Sequence, residues 1–150
     1  MAKIVSMAVP EGSLLAEFGG PGDYRDCFSR DVPGDVSLPD FIERFYCSLA
    51  FLPERVVLGL IGGPSSSSDA RAIARGEADR FGAWELVARR DREALLNSEG
   101  TGTASWFAIE PLDHGTRLLF GSWVGNLDQS GWKAMLRPHV WYSRLLLGAV

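Results

Sequence analysis

Cysteine is scarce in this 150-residue chain: Cys27 and Cys47 are the only two, and they do not form a CxxC pair. A disulfide scaffold is therefore excluded, and two buried free thiols in a reducing compartment are the expected state. Histidine is equally scarce. With only His114 and His139, no three-histidine metal centre can form, and there is no HExxH or CxxC to supply a zinc site. Neither GxGxxG nor a GKS/T loop is present, so no dinucleotide or P-loop signature stands in the chain. Positive charge is also short, with 15 Lys and Arg against 19 Asp and Glu and a formal net charge of −4. That balance argues against nucleic acid, whose binding needs clustered cations. No apolar run reaches the roughly 18 to 20 residues of a membrane helix, so no membrane span is expected. The first residues hold one cation, Lys3, and a short apolar stretch. Pro10, Glu11 and the missing small-residue cleavage site argue against a secretory signal, which leaves the cytoplasm as the expected location.

What is abundant is aromatic side chain: five Trp, eight Phe and three Tyr. With 46% hydrophobic residues in 150, this suits one domain with a real core and excludes a disordered chain. The segment 13–18 suggests a short helical turn. Tyr24 to Val32 suggests a strand, closed by Pro33-Gly34-Asp35. Ser37 is a candidate N-cap with Asp40 three residues on, and Phe41, Ile42, Phe45, Leu49 and Leu52 recur at helical spacing. A second helix is expected from Pro53 to about Leu60, and a short third from Asp69 to Arg75, capped by Ser68 and ended by Gly76.

From Ala83 the period becomes two. A turn at 90–92 would put Arg89 opposite Glu93 and Leu86 opposite Leu96. Trp84, Leu86, Ala88, Ala94 and Leu96 would then share one face, with Glu85, Arg89 and Glu93 as a charge ladder on the other. Strands over 103–110 and 116–124 follow. Trp106, Leu118 and Phe120 are assigned to one face, and Phe107, Ile109, Leu119 and Trp123 to the other. A one-residue slip would exchange Trp106 for Phe107. Pro138 is expected to open a last helix from His139 to about Ala149.

A strand, then helices, then an antiparallel meander and a terminal helix is the order of the START-like helix-grip fold. The chain resembles a bacterial family of unknown function within that superfamily, members of which also occur fused behind nucleotide-sugar-epimerase-like domains. The resemblance is carried by Asp23-Tyr24-Arg25-Asp26-Cys27-Phe28, by residues 115–120 and by Pro138-His139, and it spans about 10–150. It implies an α+β domain over 1–150 in which a curved antiparallel sheet grips the terminal helix around a pocket. An NTF2-like cone is disfavoured by the strand before the helices.

In such a pocket Trp84, Leu86, Leu96, Trp106, Phe120, Trp141 and Leu145 are the expected ligand-binding residues. Indole and aliphatic walls suit a small hydrophobic or flat aromatic molecule. No constellation identifies a reaction, so no catalytic residue, cofactor or metal is assigned. The alternative is a cyclase- or hydrolase-like enzyme using the same pocket, with His139 or Tyr142 as acid–base and Arg117 as anion anchor. Gly62-Gly63-Pro64-Ser65 is expected to be a connector, and His114 a solvated turn residue. The last helix is apolar almost all round, which points to a homodimer contact there.

Overall fold

The computed structural model describes residues 3–48, 66–82, 84–98, 102–125 and 132–150, with backbone alone for 132–136. The expected helix over 53–60, the continuation through Leu49 and Leu52, and the 62–65 connector lie outside the described residues. In chain order the elements are β1 (Val5–Ser6), α1 (Leu14–Glu17), β2 (Tyr24–Pro33), α2 (Leu38–Tyr46), α3 (Ser67–Ala74), β3 (Arg80–Phe81), β4 (Trp84–Arg90), β5 (Glu93–Ser98), β6 (Thr103–Leu112), β7 (Gly115–Val124) and α4 (Trp132–Gly148).

All pairings are antiparallel in one curved seven-stranded sheet of order β1-β2-β7-β6-β5-β4-β3. The first long strand, β2, closes against the last, β7, and β3 to β7 run as a meander. Helices α2 and α3 are inserted between β2 and β3, and α4 ends the fold. This is the α+β, helix-grip-like arrangement expected from the order of elements.

Local chemistry explains the boundaries. Ser37 Oγ accepts from Asp40 N at 3.2 Å and opens α2. The cap of α3 is Ser66 rather than Ser68, because Asp69 stands three residues after Ser66 and the two form a reciprocal capping box. Pro138 lies inside α4 instead of starting it. The helix tolerates one missing N–H at that point and gains a turn and a half upstream.

The meander departs from the expected register in two places. The β4–β5 turn holds two residues, Asp91 and Arg92, so Arg90 and not Arg89 faces Glu93. A bulge at Val87 absorbs the extra residue and restores Leu86 opposite Leu96. The bulge turns Ala88 to the opposite face and Arg89 to the helix-covered one, so the supposed ladder loses its middle member. On β6 and β7, Phe107 pairs with Phe120 and Ile109 with Leu118, whereas Trp106 pairs with Gly121. Trp106 therefore faces away from Trp84, Leu86, Leu96 and Phe120; the one-residue slip is the arrangement observed.

Both faces of the sheet are covered. On one, Phe41, Phe45 and Tyr46 of α2 pack on Phe81, Phe107 and Phe120, with ring centroids 4.5–5.7 Å apart. Ile73 of α3 and Leu146 and Leu147 of α4 join the same core. On the other, Leu15 of α1 packs with Cys27, Leu95, Trp106 and Leu119. That second, smaller core is why the central strands are apolar on both faces.

Candidate functional site

The hexapeptide Asp23 to Phe28 enters β2, and strand alternation divides its work between the two faces. Odd positions serve the smaller core and the segment over it. Asp23 Oδ2 accepts Gly20 N–H at 2.7 Å and Trp123 Nε1–H at 3.0 Å, which holds its carboxyl below the usual range. Arg25 donates to the carbonyls of Leu15, Phe18, Gly20 and Asp23. Gly19 sits at φ +76°, and a Cβ there would collide with Trp123 Nε1. Cys27 is buried beneath them, and loss of solvation pushes its thiol up to about 12. Neither cysteine is in a disulfide.

The even positions face the helices. Tyr24 donates its hydroxyl to Asp26 Oδ2 at 2.8 Å, and Ser122 N–H donates to Asp26 Oδ1 at 3.0 Å. From α4, His139 brings Nε2 to 3.8 Å from Asp26 Oδ2. The two side chains are 10% and 19% exposed, so the carboxylate is nearly enclosed while the imidazole keeps some access. Burial sets both protonation equilibria. It raises the Asp26 carboxyl above its ordinary value, and it holds His139 below its ordinary value against the opposing pull of Asp26. At neutral pH the ring is therefore neutral.

Asp26 lies at one end of a row that crosses the helix-facing surface. Register places Ser122, Ser105, Leu96 and Leu86 beside it in turn. At the usual strand spacing, Asp26 to Leu96 spans about 14 Å and Asp26 to Leu86 about 19 Å. The neighbouring row is Phe28, Phe120, Phe107 and Ala94, filled by the rings of α2. Two serines stand in the middle of the Asp26 row where the neighbouring row has phenylalanines, and Ser122 and Leu96 are buried. Ser105, Leu86 and Trp84 are only partly buried.

The sequence-expected residues are thus only partly brought together. Trp84, Leu86, Leu96 and Phe120 share the helix-facing surface, where Phe120 belongs to the packed row. Trp106 lies on the other face and donates Nε1–H to Glu93 Oε1 at 2.9 Å. Trp141 and Leu145 occupy the outer side of α4, 66% and 43% exposed, and point away from the sheet. Arg117 lies on the face opposite His139 and holds Asp31 with bonds of 2.8 and 3.2 Å, so it anchors nothing at this row. Tyr142 packs on the helix-side core. His114 is exposed in the two-residue β6–β7 turn, as expected.

Sequence reading singled out His139 but missed Asp26 and Tyr24. Both stood in the quoted hexapeptide, and their spacing of two within a strand was the available signal.

An open groove of about 250 Å³ lies on the other face along Pro10, Gly12, Ser13, Trp106 and Leu119. Its central carboxylate is already engaged. Glu93 accepts Leu14 N–H at 2.6 Å and Trp106 Nε1–H at 2.9 Å, and it pairs with Arg90 at 3.4 Å. The groove is the seam that docks α1 to the sheet. Among the described residues no group of three or more His, Cys, Asp or Glu could hold a metal ion, and no helix is long and apolar enough to cross a membrane. Comparison of the chain with protein-family models, with curated proteins and with solved structures finds no match in any of the three.

Proposed function

We propose that the chain is a START-like binding module for a small, mostly hydrophobic or flat aromatic molecule, held between the helix-facing surface of the sheet and α4. The observation that carries this reading is the Asp26–Ser122–Ser105–Leu96–Leu86 row, which is polar at one end and apolar at the other. Trp84, Leu86 and Leu96 supply dispersion and desolvation, and Asp26 with His139 orients one polar group. A buried carboxylate and imidazole contribute little to stability, since desolvation offsets their attraction; a site is the better reason for them. The closing of β2 on β7 with a terminal helix supports the superfamily resemblance, and the paucity of cysteine supports a cytoplasmic setting.

The test is thermal shift and tryptophan fluorescence with 2-naphthol and with palmitate. Stabilisation by either, abolished in Ser105→Trp, is expected. No shift with both would overturn the reading.

The exposed pair Trp141 and Leu145, one turn apart on α4, supports a homodimer through that helix. Light scattering at tens of micromolar distinguishes dimer from monomer.

A further inference from the structure

We propose that the outer side of α4 is a docking surface for an anionic lipid bilayer, with Trp141 and Leu145 entering the interface and Arg137 and Arg144 meeting lipid phosphates. It concerns the side of the helix turned away from the ligand site proposed above, and it stands or falls separately.

Helical spacing sorts α4 into two sides. Ser143, Leu146 and Leu147 are buried, and His139, Val140 and Tyr142 are partly buried. The exposed positions are Arg137, Pro138, Trp141, Arg144, Leu145 and Gly148, which at 3.6 residues per turn fall within an arc of about 120°. Trp141 is 66% and Leu145 43% exposed, one turn apart within that arc. Arg30 of β2 and the core residues Leu146 and Leu147 already hold the helix on the sheet, so the outer indole is left over from the fold's own packing.

Charge identifies the partner. α4 contains Lys133, Arg137 and Arg144 and no Asp or Glu, in a chain whose formal net charge is −4. Arg144 donates to the Ile4 carbonyl and lies over the Phe28 ring, and neither contact neutralises it. An exposed indole beside arginines matches the membrane interface, where Trp sits at headgroup level and guanidinium groups meet phosphates. The remainder of the chain is net acidic and is repelled by the same headgroups, so this side alone is steered to the bilayer.

A contact between copies through the same pair is weak by comparison. It would bring the arginines of both helices together with no carboxylate on either. Trp141 and Leu145 also offer only on the order of 200 Å² of apolar surface, against roughly 800 Å² per partner in a standard interface. The bilayer therefore competes with a second copy for this side.

The probes are vesicles of phosphatidylcholine alone and of phosphatidylcholine with about 30% phosphatidylglycerol, mixed with the full chain. Three results are expected: co-sedimentation with the anionic vesicles, its loss at about 0.5 M salt, and quenching of tryptophan fluorescence by lipids brominated on the acyl chain. Trp141→Ala should weaken binding about 10-fold. Arg137→Gln should weaken it about 5-fold, while Arg137→Lys keeps it. Val87→Ser, which removes an exposed apolar side chain on β4, should change nothing. Thermal unfolding confirms that each variant folds. Equal binding to both vesicle types, or binding that Trp141→Ala and Arg137→Gln leave unchanged, would overturn the inference. So would a chain left in the supernatant; light scattering that then shows a dimer assigns this side to a second copy. None of these results alters the thermal shift with 2-naphthol, which tests the ligand reading by itself.

Discussion

Six consecutive residues, Asp23 to Phe28, carry two different tasks because a strand sends alternate side chains to opposite faces. Asp23 and Arg25 tie down the segment bearing α1, while Tyr24 and Asp26 face α4. The buried Asp26 has a consequence for stability. Its carboxyl titrates above the ordinary value, so the folded state holds that proton more tightly than the unfolded chain. The resulting stabilisation is fully present below the unfolded value of about 3.8 and is lost as pH rises through the raised folded value. Asp26→Asn should therefore match or exceed wild-type stability at pH 7, and its advantage should shrink as pH falls toward 4. Urea unfolding of both proteins across that range checks the sign. His139 works in the opposite direction. Held low by burial, it stays neutral while the unfolded chain takes up a proton below about 6.5, so wild type loses stability there and His139→Gln does not share that loss. Tight packing also fixes single positions. A Cβ on Gly121 would meet the Asp26 carbonyl at 2.7 Å and Leu15 Cδ2 at 2.5 Å. Gly121→Ala should cost about 1–3 kcal/mol by overpacking, read as a lowered midpoint in urea.

Two elements are docked by the same device. Arg30 on β2 donates to the carbonyls of Leu147, Gly148 and Val150, at 3.3, 2.9 and 2.9 Å, and so caps the end of α4. Arg89 on β4 donates to Ile73 and Ala74 carbonyls at 3.4 and 2.7 Å and caps α3. A guanidinium at a helix C-terminus satisfies orphan carbonyls and complements the dipole. Arg30→Met, which keeps the apolar stem, should lower stability by about 1.5–3 kcal/mol, the range for charge-assisted bonds. Hydrogen exchange should show the loss first in the last turn of α4. At this scale the sequence was a partial guide. The cap of α2 and strand existence could be read, since Ser37 and the turn residues act locally, whereas the cap of α3 was placed two residues late. Register could not, because β6 and β7 are apolar on both faces and alternation alone does not say which face the helices take. The bulge at Val87 likewise answers to its partner strand, and it sent Arg89 to a helix end that no local pattern marked. Trp106 was misplaced for the same reason: its face is decided by α1, whose docking is a long-range event.

Across the whole molecule, the sheet separates a large helix-side core from a smaller one sealed by the N-terminal segment. The order of elements was legible, as was the closing of the sheet by a terminal helix. Of the expected site residues, Trp84, Leu86, Leu96 and Phe120 share the helix-facing surface, while Trp141 and Leu145 turned outward once α4 used Leu146, Leu147 and Ser143 to meet the sheet. If that outward pair joins two copies, Trp141→Glu should yield a monomer by light scattering while leaving the thermal midpoint of the protomer within a few degrees. Which face of the sheet receives a ligand is measured most directly by residue-resolved NMR of the full chain titrated with 2-naphthol. Shifts at Leu86, Leu96, Ser105, Ser122 and His139 are the expected result. Shifts confined to Trp106, Ala108 and Leu119 on the opposite face, or none at all, would contradict it.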